Sequence, residues 1–329
     1  MAKKKQGINP SILIIVVLAL IAVAAMVVIL MNKGNKGDSP TAQGDSTIAP
    51  ASEQPVNTAQ ISVPATQQPT TEPTNTPEVY PEGDFSATFP TYDTGTDADY
   101  SYQSDNIRIA IREDRRINTT FYVADIYVRN VDLLSTALVD DKVGGNHHDY
   151  THNIAASVDA LFAINGDYCG NRHEGIVIRN GILYRDTLNE DTCVLYKDGT
   201  MVTYSSDETS GETYVANGAL QVWSFGPELL ENGQVRDDFT EGIKGCNPRT
   251  LIGYVAPGHY IIVVVDGRQE SSVGMTFHEC SELMSDLGCT VAYNLDGGQS
   301  TEMVFQGQII NSPTDGGRHC SDIVYLPKR

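Results

Sequence analysis

The spacing of hydrophobic and polar positions changes several times along this chain, and each change marks an element. Ile261 to Val265 is an unbroken β-branched run, the pattern of a strand buried on both faces. It stops at Asp266-Gly267-Arg268. Thr276 and Glu279 then have capping-box spacing, each side chain able to take the other residue's backbone N–H. Phe277, Cys280, Leu283, Met284 and Leu287 fall on one helical face, and Gly288 suits the left-handed residue that ends a helix. Cys289 to Leu295 reads as the next strand, ending at Asp296-Gly297-Gly298. Strand, helix and strand in this compass predict a βαβ crossover between parallel strands. Parallel strands would bring Asp266 and Asp296 to one sheet edge, where open α/β sheets hold their ligands. The glycine after each would let a ligand approach the backbone. The competing reading is two Asp-Gly turns that merely cap strands.

Upstream, Ile107 to Ile111 alternates as a strand with Phe121 to Val128 as its hairpin partner, and Leu133 to Leu138 starts a helix or loop. Tyr150 to Ala160 has helical spacing and leads into the strand Leu161 to Ile164. That strand ends at Asn165-Gly166-Asp167, which would join the same site if it ran parallel to the others. Asn180-Gly181, Lys197-Asp198-Gly199 and Asn232-Gly233 mark hairpin turns. Trp223 lies in a packed strand within Ala219 to Leu230, and Leu251 to Val255 pairs with Ile261 to Val265. The predicted fold is mixed α+β: a mixed sheet with a parallel βαβ core and antiparallel hairpins, over residues 104–329.

Ahead of that domain the pattern differs. Ser11 to Met31 is apolar, uncharged and long enough to cross ~30 Å of hydrocarbon. Lys3, Lys4 and Lys5 before it favour an inside N-terminus. The expectation is a cytoplasmic tail over 1–10, an uncleaved transmembrane helix over 11–31 and an outward-facing C-terminal domain at the cell membrane. A cleaved signal peptide, the rival, would carry a shorter apolar stretch and a clean small-residue cleavage site. Residues 32–103 are rich in Pro, Thr, Gln and Ser, become acidic towards Asp105, and read as a disordered stalk. The formal net charge of the 329-residue chain is −20, which argues against nucleic-acid or anionic-lipid partners.

The six cysteines include no Cys-x-x-Cys, so they fit no zinc pattern; outside a membrane an even count permits disulfides, in 15 pairings. His148 and His152 have i, i+4 spacing, but with no third ligand at a recognised offset they and His147 read as solvated surface. No cofactor is expected, although the strand-end carboxylates could hold Ca²⁺ or Mg²⁺.

Several blocks together resemble one family. Asp266 to Met303, Asn247 to Tyr254 (NPRTLIGY) and Asn311 to Asp322 (NSPTDGGRHCSD), with Phe162 to Tyr168 (FAINGDY) and Tyr122 to Val128 upstream, are similar to the signature blocks of the phosphodiester glycosidases. The chain departs from the family's usual Asp-Gly-Gly-Gly-Ser-Ser at Gln299 and Thr301. The resemblance implies hydrolysis of a sugar-1-phosphodiester, with a phosphate-linked glycan of a wall or capsule as substrate. Such chemistry passes through an oxocarbenium-like transition state between carboxyl groups. A phosphate leaving group needs charge neutralisation more than protonation, and arginine matches phosphate oxygens. Asp296, Asp266 and Asp167 are therefore the catalytic candidates, with Arg268 and Arg249 holding phosphate. The resemblance further implies substrate contacts at Thr250, Asn165, Gly166, Gly297, Gly298, Ser300, Asp315 and Gly316. Two other classes compete: a glycan-binding or wall-assembly protein that does not turn over, and a metal-dependent phosphodiesterase that cuts the P–O bond.

Overall fold

A computed structural model describes residues 84–91, 98–188, 191–205, 209–231, 233–239 and 245–328. All of them belong to one unit, Thr74–Arg329. The expected tail, anchor and most of the stalk lie outside the described residues. Among the described residues no helix is long and apolar enough to cross a membrane.

Among the described residues, three large sheets and three short α-helices build the fold, and every paired strand is antiparallel. Sheet I has six strands in the order Tyr100–Gln103, Ile107–Arg116, Thr119–Val128, His259–Val265, Arg249–Ala256, Val291–Asn294. Sheet II runs Ile182–Arg185, Val177–Arg179, Ala219–Trp223, Asp191–Tyr196, Met201–Ser205. Sheet III runs Gln308–Ile309, Met303–Phe305, Ala160–Asn165, Asp322–Pro327, Ser135–Leu138. The segment expected to open a helix or loop thus supplies an edge strand at Ser135–Leu138. The hairpin turns at Asn180-Gly181 and Asp198-Gly199 form where they were predicted; Asn180 and Gly181 take φ of 51° and 79°, as a two-residue hairpin turn requires. At the third turn, Leu230–Glu231 pairs with Gln234–Val235, while Asn232 itself lies outside the described residues.

Strand alternation explains the layers. Tyr260, Ile262 and Val264 face a core shared with Phe162, Ile164, Met303 and Val324 of sheet III and Leu195 and Trp223 of sheet II. Ile261, Val263 and Val265 face the opposite way, onto Phe277, Cys280, Leu283 and Met284 of helix α3 (Phe277–Asp286). The run is therefore apolar at every position because both faces are covered. Helix α1 (Thr151–Ser157) covers Ala163, Val304 and Ile323 of sheet III. Helix α2 (Gly211–Ala216) places Tyr214 against Ile178, Val194 and Val222 of sheet II. Helix α3 begins at the expected capping box, Thr276 with Glu279. It ends with Gly288 N–H bonding Ser285 O and Cys289 N–H bonding Met284 O, and Gly288 has a φ of 84°.

The parallel βαβ core does not form. Arg249–Ala256 lies between His259–Val265 and Val291–Asn294 and pairs antiparallel with both, Arg249 opposite Val265 and Leu251 opposite Asn294. Two strands antiparallel to a common neighbour still run the same way. Asp266 and Asp296 therefore emerge at one end of the sheet, and Arg249 enters there too. Helix α3 returns the chain over an intervening strand, a connection that local periodicity cannot distinguish from a crossover between adjacent strands. Ala160–Asn165 is likewise antiparallel to both its neighbours, and it belongs to sheet III. All six cysteines are free, and only Cys246 is exposed.

Candidate active site

The ends of sheets I and III meet at Asp296. Its backbone N–H donates to Gly166 O at 3.2 Å, and its carbonyl accepts from Asn165 Nδ2 at 2.6 Å. Thr250 Oγ1 donates to Asn165 Oδ1 at 2.7 Å, so Asn165, Gly166 and Thr250 form the joint behind the carboxylate. The side chain of Asp296 is nearly buried, and its two oxygens are committed differently. Oδ1 accepts from Gly297 N–H at 2.9 Å, and Oδ2 accepts from Arg318 Nη2 at 2.9 Å. Ser300 Oγ accepts from the same guanidinium at 2.7 and 3.0 Å, fixing its angle. Burial raises the Asp296 pKa above the usual carboxylate range, against the opposing pull of Ser300 and Arg318. The loop cannot carry larger residues: a Cβ at Gly297 would lie 2.8 Å from Pro248 O, and one at Gly298, where φ is 67°, 3.0 Å from Arg268 Nη1.

A cleft of about 510 Å³ opens beside this carboxylate. Its wall includes Asp296, Gly297, Gly298, Arg249 and Arg268, five of the residues expected from sequence. Arg268 donates Nε and Nη2 to Asn247 Oδ1 at 3.1 and 2.9 Å and has no carboxylate partner among the described residues. Arg249 lies 3.8 Å over the Phe277 ring and donates to the Met275 and Gly245 carbonyls. Burial and then neighbouring Arg268 weaken its hold on the proton. Arg172, Arg236 and Arg318 complete a set of five arginines in one cleft of an acidic chain. Sequence reasoning missed these three. Arg318 was nonetheless within reach, since it sits in the Asn311 to Asp322 block that carries the family likeness.

Asp266 and Asp167 are placed elsewhere. Asp266 is buried and accepts from Asn311 Nδ2 at 2.9 Å and from Ser312 N–H at 3.1 Å, holding the 311–316 loop. Burial pushes its pKa up to about 6. Asp167 belongs to a closed cluster with Cys169 and Asp322, whose ligand atoms lie within 4.8 Å of one another. The buried Arg179 guanidinium reaches both carboxylates of that cluster, Asp322 at 2.8 Å and Asp167 at 3.2 Å. It supplies the positive charge that a divalent ion would otherwise bring. A Cβ at Gly166 would lie 2.4 Å from Asp322 Oδ1, which explains that glycine by close approach. Asp315 is exposed and accepts from Gln299 Nε2 at 3.0 Å, so the residue that departs from the family pattern ties two loops together. Gly316 is exposed beside it. His152, read as solvated, is bonded to buried Glu302 at 3.0 Å.

A β-rich scaffold that presents a buried carboxylate to an arginine-lined cleft defines a site complementary to an anionic ligand. Comparison with known proteins narrows this. Residues 159–326 match the family model of the phosphodiester glycosidases, and the chain belongs to that family. An SPbeta prophage-derived uncharacterized protein, YomE, of Bacillus subtilis (strain 168) is 30% identical over 183 residues, covering 53% of this chain and 28% of that one. The Bos taurus N-acetylglucosamine-1-phosphodiester alpha-N-acetylglucosaminidase is 28% identical over 148 residues, 40% of this chain and 27% of its own. The match thus spans little more than a quarter of each of these relatives. The fold is similar to the catalytic domain of the zebrafish enzyme of that name, auto-inhibited by its pro-peptide, with a TM-score of 0.56 and 22% identity. That alignment covers 70% of this chain and 87% of the zebrafish domain.

Proposed function

We propose that this protein hydrolyses the bond between C1 of a sugar and the phosphodiester oxygen in a phosphate-linked glycan. The observation that carries the reading is the placement of Asp296 in the wall of a cleft with five arginines. In the proposed reaction the C1–O bond breaks, water supplies the oxygen that replaces it on C1, a phosphomonoester leaves with the bonding pair, and the proton that water gives up passes to solvent. Such a leaving group has its second pKa near ~6, so it departs as an anion and needs little protonation. One reacting carboxylate then suffices, and Arg268 with Arg249 neutralises the phosphate. Asp296, paired with Arg318 at 2.9 Å, faces the developing positive charge at C1. The outward, membrane-attached location follows from sequence only: the apolar run Ser11 to Met31 behind three lysines supports it.

Turnover of sugar-1-phosphodiesters by the full chain in H₂¹⁸O tests the reading. Label in the released sugar is the expected result. Label in phosphate would mean P–O cleavage, and binding without turnover would mean a glycan-binding protein; either overturns it.

A further inference from the structure

The cleft is a positively charged region of an acidic chain. Its wall holds five arginines against three carboxylates, Asp191, Asp238 and Asp296, so its formal charge is positive in a chain of −20. The arginines are not equivalent. Arg318 is committed to Asp296, and Arg236 to Asp238 at 3.0 Å and Glu228 at 3.6 Å. Arg172 differs: its Nη1 donates to the carbonyls of Ser224 and Phe225, at 3.4 and 3.2 Å, and it has no carboxylate partner among the described residues. Its guanidinium lies 4.4 Å over the Phe225 ring, which immobilises it. Arg268 likewise has no carboxylate partner among the described residues. The two sit in different surroundings. Arg268 acts electrostatically on Arg249, whereas the charge of Arg172 is felt at Arg185 and Tyr293.

We infer that the cleft takes a stretch of substrate bearing at least two phosphodiesters, one at Arg268 and Arg249 beside Asp296 and the next at Arg172. The inference rests on the phosphodiester glycosidase reading above and specifies its substrate class: a polymer with phosphate in every repeat, not a glycan capped by one phosphodiester. A half-buried guanidinium with no carboxylate partner among the described residues and a ring beneath it is a preorganised anion site. A substrate with a single negative charge would leave one such site unfilled.

Three synthetic substrates separate charge from length: a sugar-1-phosphodiester with one phosphate, its two-phosphate repeat, and an equally long one-phosphate compound with a neutral second linkage. The two-phosphate compound is expected to raise kcat/KM about tenfold, about 1.4 kcal/mol, mostly through KM. In Arg172→Gln the ratio of two-phosphate to one-phosphate kcat/KM should fall to near one. Equal kcat/KM for one and two phosphates would overturn the inference, as would the same gain from the neutral extension. So would an equal loss on both substrates in Arg172→Gln. Binding of non-hydrolysable methylene analogues of the three compounds distinguishes the two readings. A two-phosphate preference in binding without any turnover would remove the hydrolytic reading and leave this inference standing.

Discussion

Replacing Asp296 with asparagine changes the site by one charge and almost no volume. The new side chain could still accept from the Gly297 N–H, but its amide would meet the Arg318 guanidinium, donor against donor, where a carboxylate now sits at 2.9 Å. The cost to folding should be small. Arg318 is 40% exposed on its side chain and can turn to water, and ion pairs at such exposure contribute about 1 kcal/mol at most. Burial also raises the Asp296 pKa, so the charge that is lost was itself costly to bury. The cost to catalysis should be large. A positioned charge that stabilises the transition state at C1 contributes ~10²–10³-fold, or about 3 to 4 kcal/mol of barrier. Steady-state kinetics on a sugar-1-phosphodiester, with Tm measured on the same preparation, should show kcat down at least about a hundredfold and KM within about threefold. A folded Asp296→Asn protein that kept more than about a tenth of the wild-type kcat would refute the assignment. Asp191, the other partly buried carboxylate in the wall, would then be the residue to test.

Four further outcomes follow from the same geometry. Arg318 opposes the burial that raises the Asp296 pKa; activity that needs the ionised carboxylate falls as pH drops through that pKa, so Arg318→Gln should move the acidic limb of the kcat/KM profile to higher pH, and an unmoved limb would contradict the pairing. Arg268→Gln should raise KM about tenfold with kcat little changed, since one charge-assisted contact to phosphate is lost; a change confined to kcat would argue against phosphate binding there. Asp266, pushed up to about 6 in the fold from 3.8, takes up a proton on folding between those values. Its ionised form therefore costs stability as pH rises through that window. The Tm of Asp266→Asn relative to wild type should accordingly climb between about pH 4 and 6, and a flat difference would show that the site is not desolvated. Phe85, 3% exposed and seated against Gly199 and Gly258, should cost about 3–5 kcal/mol when cut to Ala, read as a loss of Tm.

Elements set by local chemistry were legible in the sequence. The capping box at Thr276, the left-handed Gly288, the Asn180-Gly181 turn and the apolar run at Ile261 to Val265 depend on residues a few positions apart, and each formed where the pattern placed it. The parallel sheet failed because alternation specifies which face a residue takes but not which strand lies beside it. Only the insertion of Arg249–Ala256 between the two strands decided that, and it left both Asp-Gly ends on one edge. The same limit applies to the carboxylates. Asp266-Gly267 and Asp296-Gly297 look alike in sequence, yet one holds the 311–316 loop while the other borders the cleft. The difference lies in partners farther along the chain, Asn311 and Ser312 for the first and Arg318 for the second, which only packing brings within hydrogen-bond distance. The sequence determined the strand ends, their glycines and the family they belong to. The tertiary structure decided which charges meet there, because charge pairing between residues far apart in the chain is set by how sheets pack and by no local preference.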